Sequence, residues 1–169
     1  ISLLKASGHV LAEDVYSTVD IPAFKQSAMD GYAILYNETR LPLKINGEMA
    51  GGAKGPGQLG KQQAVRIFTG AALPEGADTV VMQEKVTVEN GELVIQDEQL
   101  QQGSNVREKG SEIKTGMLAM EKGSFLSPAA IGFLAGIGLN EVFVFSFPKV
   151  RIIVTGEELQ QPGKELEVG

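Results

Sequence analysis

No cysteine occurs in the 169 residues of this chain. Its absence excludes disulfides, Cys-ligated zinc, iron–sulfur clusters and thiol catalysis. Histidine occurs once, as His9, which removes His-rich metal sites and a Ser-His-Asp triad as well. A lone histidine is ordinarily a surface or core residue. No apolar run approaches the roughly 18 residues that a membrane span requires. The opening ISLLKASGHV lacks the basic segment and cleavage site of a signal peptide, so a cytoplasmic protein with no membrane partner is expected. Positive charge is in short supply: 15 Lys and Arg stand against 21 Asp and Glu, for a net charge of −6. That balance argues against general nucleic-acid binding, which needs a basic stripe. Any catalysis must rest on Asp, Glu, Lys, Arg, Ser, Thr, Tyr or backbone amides, with a hard cation such as Mg²⁺ on oxygen ligands.

Glycine is abundant, at 21 residues, and six of them lie in GEMAGGAKGPGQLG between Gly47 and Gly60. Such a stretch reads as loop or bulged β-structure. Its flanks suit strands: LPLKING, QAVRIFTG, DTVVMQEKVTVENG and ELVIQD. Val86 and Val88 alternate with polar neighbours, and Asn90-Gly91 supplies a hairpin turn into Leu93–Ile95. Residues 25–115 therefore read as a compact unit of short strands.

A different pattern follows. In LSPAAIGFLAGIGL, Ser127 is the expected N-cap, Pro128 the first helical residue and Gly138 the stop. Ile131, Leu134 and Ala135 share a face at helical spacing, and Gly132 and Gly136 would let a neighbour approach the backbone. EVFVFSF then reads as a strand covered on both faces. KVRIIVTG reads as the first, interior strand of an α/β domain. The chain opens on Ile1 and ends soon after that strand, so a fragment of a longer protein is expected.

Four polar stretches combine glycine with a hydroxyl or a carboxylate. In QSAMDGY, Asp30-Gly31 by itself reads as a turn, although it also aims one carboxylate beside a strand. In RIFTGAALPEGAD, Thr69-Gly70 offers a hydroxyl and free amides suited to an oxyanion, or a plain loop. In NVREKGSEIKTG, Arg107, Lys109 and Lys114 surround Glu108 and Glu112, either as a solvated loop or as an anion site with a carboxylate. In VTGEEL, Thr155-Gly156 end a strand and Glu157 and Glu158 open a helix, where the helix dipole favours acids anyway. No GxGxxG, GxxxxGK[ST] or HExxH motif occurs.

Taken in order, DIPAFKQSAMDGYAI, IFTGAALPEGADTVVMQE, VREKGSEIKTG and LSPAAIGFLAGIGLNEVFVFSFPKVRIIVTGEEL resemble the amino-terminal part of the molybdopterin molybdotransferases, the MoeA family, which includes the gephyrin E domain. The resemblance covers nearly the whole chain. It implies an enzyme that inserts molybdate into adenylylated molybdopterin, with Mg²⁺ present and release of AMP. It also implies a homodimer that follows a molybdopterin adenylyltransferase in the pathway. Its cleft lies between the third domain of one subunit and the first two of its partner. A gephyrin-like scaffolding module and a tungstate-specific paralogue are the alternatives.

The fold implied is mixed and mainly β (α+β). A compact β domain, residues 25–115, is inserted into a discontinuous small α/β domain, residues 1–24 and 116–147. Residues 148–169 begin a truncated molybdopterin-binding α/β domain. By motif, Asp30, Thr69, Glu112 and Glu158 take the catalytic positions. Ser27, Gly31, Gly70, Arg107, Thr155 and Gly156 take substrate-binding ones, and the metal ligands stay unassigned. Ala72 replaces the family's usual Pro, Glu112 and Glu157 replace Asp, and Lys25 replaces a common Asp, which leaves Asp30 the only carboxylate of its stretch. The four polar groups are expected to converge, with Glu158 meeting Asp30 across a dimer cleft.

Overall fold

The computed structural model describes residues 1–39, 42–52, 57–156 and 159–165. In chain order its strands are β1 (Val15–Tyr16), β2 (Gln26–Ser27), β3 (Gly31–Ile34), β4 (Leu43–Met49), β5 (Gln63–Ile67), β6 (Thr79–Met82), β7 (Val86–Glu89), β8 (Glu92–Ile95), β9 (Val106–Arg107) and β10 (Leu118–Met120), followed by helix α1 (Pro128–Gly136). The architecture is mainly β, as the sequence implies.

The central strands carry apolar pairs: Ala33-Ile34, Ala64-Val65 and Val80-Val81. Successive side chains of a strand point to opposite faces, so each pair is satisfied only where both faces are covered. That is what the sheet provides. Its order is β6-β3-β5-β4-β8-β7, antiparallel except for the β4–β5 pair. Ala33, Val65 and Val80 join one buried cluster with Ile67, while Ile34, Ala64 and Val81 join a second with Leu43 and Leu93. Full burial of an aliphatic side chain of this size stabilises the fold by about 1.5–3 kcal/mol. The glycine-rich stretch does begin as bulged β-structure: β4 runs through Gly47, at φ 86°, and its register with β5 shifts between Ile45 and Glu48. Asn90 and Gly91 both have positive φ, 50° and 82°, as a two-residue hairpin turn between β7 and β8 requires.

A third cluster draws on both ends of the chain. Leu3, Ala6 and Leu11 pack with Ile113, Leu126, Leu134, Ile137 and Val142. Two short antiparallel ladders also form, β1–β10, whose Val15 and Met120 pack against this cluster, and β2–β9. Helix α1 starts as its sequence dictates: the Ser127 side chain accepts the Ala130 N–H at 3.2 Å, and Gly138 leaves the helix at φ 88°. Its core face is Ala130, Leu134 and Ile137, and Ala135 is exposed instead of sharing that face. Among the described residues, nothing outside α1's own backbone and the chain neighbours comes within 4 Å of a notional Cβ at Gly132 or Gly136.

Two expected strands do not form. From Glu141 to Phe147 only isolated bridges occur, Ser2 with Glu141 and Leu11 with Val144. Val142 is buried, whereas Phe143 is 69% exposed, because the core covers only one face of this segment. Residues 149–156 form no strand either. Val150, Ile152 and Ile153 are 78%, 82% and 78% exposed. The reasons differ: segment 141–147 bonds first to the chain start and then to Val10 and Ala12, so no continuous ladder builds up, whereas a strand needs a neighbour for its backbone groups and among the described residues none lies alongside 149–156.

Candidate functional site

The site is built where β3, β5 and β6 end together. Gly31 pairs with Ile67 on one side and Met82 on the other. A Cβ there would lie 1.9 Å from the Val81 carbonyl oxygen, so only glycine lets these backbones meet. Immediately before it, Ser27 is buried, and its hydroxyl donates to the Met29 carbonyl at 2.5 Å and accepts the Met29 N–H at 3.3 Å. This local hydrogen-bonded turn presents Asp30 at the surface.

Opposite it, Phe68–Ala71 close a tight turn through the Ala71 N–H to Phe68 carbonyl bond at 3.0 Å, with Gly70 at φ 81°. Glycine at the third residue is what a type II turn demands. Gly70 N–H donates to the Ser27 carbonyl at 2.9 Å, and Ser27 N–H to the Ala71 carbonyl at 3.0 Å. The two turns are thus zipped together, and Asp30 locks them: its Oδ1 accepts the Thr69 backbone N–H at 2.8 Å and the Thr69 hydroxyl at 2.7 Å. The backbone N–H first, then the hydroxyl, hold the Asp30 carboxyl below its ordinary value; slight desolvation opposes them, and the nearby Arg66 charge adds to them. Asp30 is therefore an anion at neutral pH. Among the described residues, no hydrogen bond or ion pair engages its Oδ2.

That carboxylate lines a groove of about 460 Å³ with Met29, Thr69, Met82, Gln83 and Glu84. Behind it, Arg66 lies 5.2 Å from the Tyr32 ring centre and 5.0 Å from that of Phe68. Its Nη1 donates to the Gly31 carbonyl at 3.0 Å and its Nη2 to Gln83 Oε1 at 2.5 Å. Another groove, of about 500 Å³ beside Tyr36, Asp97 and Leu100, shares no lining residue with this one.

Of the expected site residues, the structure brings Ser27, Asp30, Gly31, Thr69 and Gly70 together. Arg107 and Glu112 form a separate pair, with Nη1 and Oε1 3.9 Å apart, and neither bonds to Asp30 or Thr69. Glu112 borders a smaller cavity with Ile21, Ile113 and Phe133. Lys25, the residue in place of an acid, is paired with Glu108 at 2.9 Å. Thr155 and Gly156 are exposed, outside any strand. Glu158 lies outside the described residues; the side chains of two of the four polar stretches meet, and the third joins the first through its backbone, β9 pairing Arg107 with Gln26 and Val106 with Ser27. Arg66, Gln83 and Glu84 did not emerge from the sequence. The signal for Arg66 was a lone charge among Ala64, Val65 and Ile67, three residues before Thr69.

The lock also occurs a second time. Ser17 is buried; its hydroxyl donates to the Val19 carbonyl at 2.7 Å and accepts the Val19 N–H at 3.4 Å. Gly116 N–H donates to the Ser17 carbonyl at 2.8 Å, and Ser17 N–H to the Met117 carbonyl at 2.9 Å. Asp20 Oδ1 accepts the Thr115 N–H at 2.8 Å and its hydroxyl at 3.1 Å. Ser17-x-x-Asp20 on Thr115-Gly116 therefore matches Ser27-x-x-Asp30 on Thr69-Gly70 bond for bond. The one difference is the remaining oxygen: Asp20 Oδ2 has Lys109 Nζ at 3.3 Å.

Residues 1–138 match the family model described as the MoeA N-terminal region, domains I and II. The chain belongs to the MoeA family. It is 36% identical over 171 residues to the molybdopterin molybdenumtransferase of Haemophilus influenzae and 38% identical over 176 residues to that of Staphylococcus aureus. All of this chain is covered in both alignments, but only 42% of each relative. Two crystal structures of the molybdopterin biosynthesis MoeA protein from Pyrococcus horikoshii superpose with TM-scores of 0.82 and 0.88, at 37% and 33% identity. They cover 99% and 98% of this chain, which in turn spans 44% and 45% of theirs. The chain thus spans less than half the length of the relatives it matches.

Proposed function

We propose that the full-length protein inserts molybdate into adenylylated molybdopterin and releases AMP, and that Asp30 is a carboxylate at the reacting centre. The observation that carries this reading is the locked Asp30, with one oxygen fixed by both Thr69 donors and the other open to a groove, in a chain of the MoeA family. Opening a phosphoanhydride and delivering an oxyanion call for positioning and charge placement more than for a nucleophile. A carboxylate ionised at neutral pH and held in one orientation can accept a proton from water or from a substrate hydroxyl, and Thr69 fixes where that acceptor stands.

Mg²⁺ fits the donors present. It is commonly held by one or two carboxylates together with substrate phosphates, and Asp30 Oδ2 would hold it, with Glu84 on the same groove. When bound, it neutralises charge on phosphate oxygens. Glu112, Arg107, Thr155, Gly156 and Glu158 complete the site only when the rest of the protein and a second copy are assembled, as a cytoplasmic homodimer downstream of a molybdopterin adenylyltransferase. The division into residues 1–24 with 116–147, residues 25–115 and residues 148–169 belongs to the same reading, supported by the separate packing of the two-ended cluster and the sheet.

The test is Asp30→Asn in the full-length protein, with AMP release measured from adenylylated molybdopterin and molybdate. Turnover is expected to collapse while the melting curve stays cooperative. Near-normal AMP release would refute the role given to Asp30.

A further inference from the structure

The turn that carries Asp30 is held differently on its two sides. After Asp30 the chain is in the sheet: Gly31 pairs with Met82, and the Gln83 N–H donates to the Asp30 carbonyl at 3.2 Å. Before it, Ala28 and Met29 lie in no strand. Ser27 holds Met29 locally, and the Ala28 N–H donates to the Asn105 carbonyl at 2.9 Å. Asn105 is itself anchored to the main sheet. β6 is an outer strand of that sheet, and Val80 turns both of its backbone groups to the open edge. Its N–H donates to the Ser104 carbonyl at 3.0 Å, and its carbonyl accepts the Asn105 side-chain amide at 2.9 Å. One residue therefore bonds both to the chain that enters Asp30 and to the strand that ends at Met82, which lines the same groove.

The Asp20 lock supplies a comparison within the molecule. Ser17, Asp20 and Thr115-Gly116 make the same bonds, but Thr18, the counterpart of Ala28, has no partner for its N–H among the described residues. A lock of this kind thus forms without a tether, and the copy that opens on a groove has one in addition. We infer that Asn105 is a positioning residue that ties the turn before Asp30 to β6 and so fixes where the carboxylate stands over its groove. Asparagine suits the task. Its backbone is left-handed, at φ 57°, a conformation that glycine takes freely and asparagine tolerates. Its carbonyl then meets the Ala28 N–H while its amide reaches Val80. Glycine would keep the first bond and lose the second, and an ionised aspartate has no N–H to offer a carbonyl. The inference rests on Asp30 as the reacting group, but its first readout does not depend on turnover.

The experiment follows the Thr69 and Thr115 backbone amides by ¹H–¹⁵N NMR in full-length protein labelled at threonine, each signal assigned by its loss in Thr69→Ser or Thr115→Ser. Each amide donates to the aspartate of its own lock, so it reports where that carboxylate stands. Asn105→Gly and Asn105→Asp are both expected to shift the Thr69 signal and to speed its hydrogen exchange about tenfold, the scale of one hydrogen bond. Thr115 is expected to stay as it was, whereas a general loosening of the fold would move both signals. In the AMP-release assay both variants are expected to lower kcat by up to about 10²-fold, the scale of a reacting group displaced by about 1 Å. KM should change little, the pattern of an interaction lost in the transition state. An unmoved Thr69 signal, a Thr115 signal that moves with it, or a loss carried by KM alone overturns the inference. Should the wild-type protein release no AMP, the proposed reaction fails, and the two threonine signals still decide whether Asn105 positions Asp30.

Discussion

Asp20 accepts both the backbone N–H and the hydroxyl of Thr115, and residues 95 positions apart in the chain are thereby joined at the surface. The same two bonds join Asp30 to Thr69, 39 positions away. One geometry thus occurs in a closed form, with Lys109 on the remaining oxygen, and in an open form facing a groove. The two forms should separate under mutation. Asp20→Ala is expected to lower the melting temperature more than Asp30→Ala does, because it also releases Lys109. Asp30→Ala is expected to be the more damaging to AMP release. Thermal melts and turnover measured on both variants check the pair, and equal effects on both readouts would contradict it.

Acid should weaken both locks. The carboxyls of Asp20 and Asp30 are held below their ordinary value, Asp20 chiefly by the Thr115 N–H and then by Lys109, Asp30 chiefly by the two Thr69 donors. The unfolded chain therefore binds more protons than the folded one in acid, and stability rises with pH through that range. The contribution is fully present above the unfolded value of about 3.9, and is lost as pH falls through the lower folded values. Urea midpoints recorded from pH 6 down to about pH 3 should fall, and the fall should be shallower in Asp20→Asn and shallower still in the double Asn variant.

Gly31 should tolerate no side chain. The Cβ of an alanine would sit 1.9 Å from a backbone oxygen on the neighbouring strand, with no flexible side chain to give way. Gly31→Ala is expected to cost about 3 kcal/mol, the upper end of ordinary overpacking, seen as a lowered denaturant midpoint. Gly132→Ala, with open space around it, is expected to be neutral or to stabilise α1 by up to about 1 kcal/mol. The contrast tests whether Gly31 is required by the close approach of the strands.

The N-cap of α1 offers a simpler check. Ser127→Ala removes the acceptor for the Ala130 N–H and is expected to destabilise by about 0.5–2 kcal/mol. Leu134→Ala, on the buried face of the same helix, is expected to cost about 2–5 kcal/mol. Calorimetric melts of the two variants should keep that order.

Much of this was legible in the sequence, for local reasons. The strands around the glycine-rich stretch, the Asn90-Gly91 turn and the cap and stop of α1 each follow from propensities acting over a few residues. The four motifs, in order, sufficed to point to the family. Where neighbours distant in the chain decide, the reading failed. EVFVFSF and KVRIIVTG have the composition of covered strands, but composition cannot supply cover: the first has one face on the core, with Val142 buried and Phe143 exposed, and the apolar residues of the second are exposed. Ala135 shares helical spacing with Ile131 and Leu134, but the direction from which the core approaches α1 selects Ala130, Leu134 and Ile137.

The same division runs through the site. By itself the sequence determined which residues could carry charge and where tight turns fall: Asp30 before Gly31, Thr69 before Gly70, and no cysteine anywhere in the chain. Only the tertiary structure decided that Asp30 meets Thr69, that Asp20 and Thr115 repeat the arrangement, and that Lys109 closes one copy while the other opens on a groove. Hydrogen bonds between residues 39 and 95 positions apart depend on where the sheet brings its strand ends. That is fixed by which apolar faces pack against one another, not by the identity of the residues that bond.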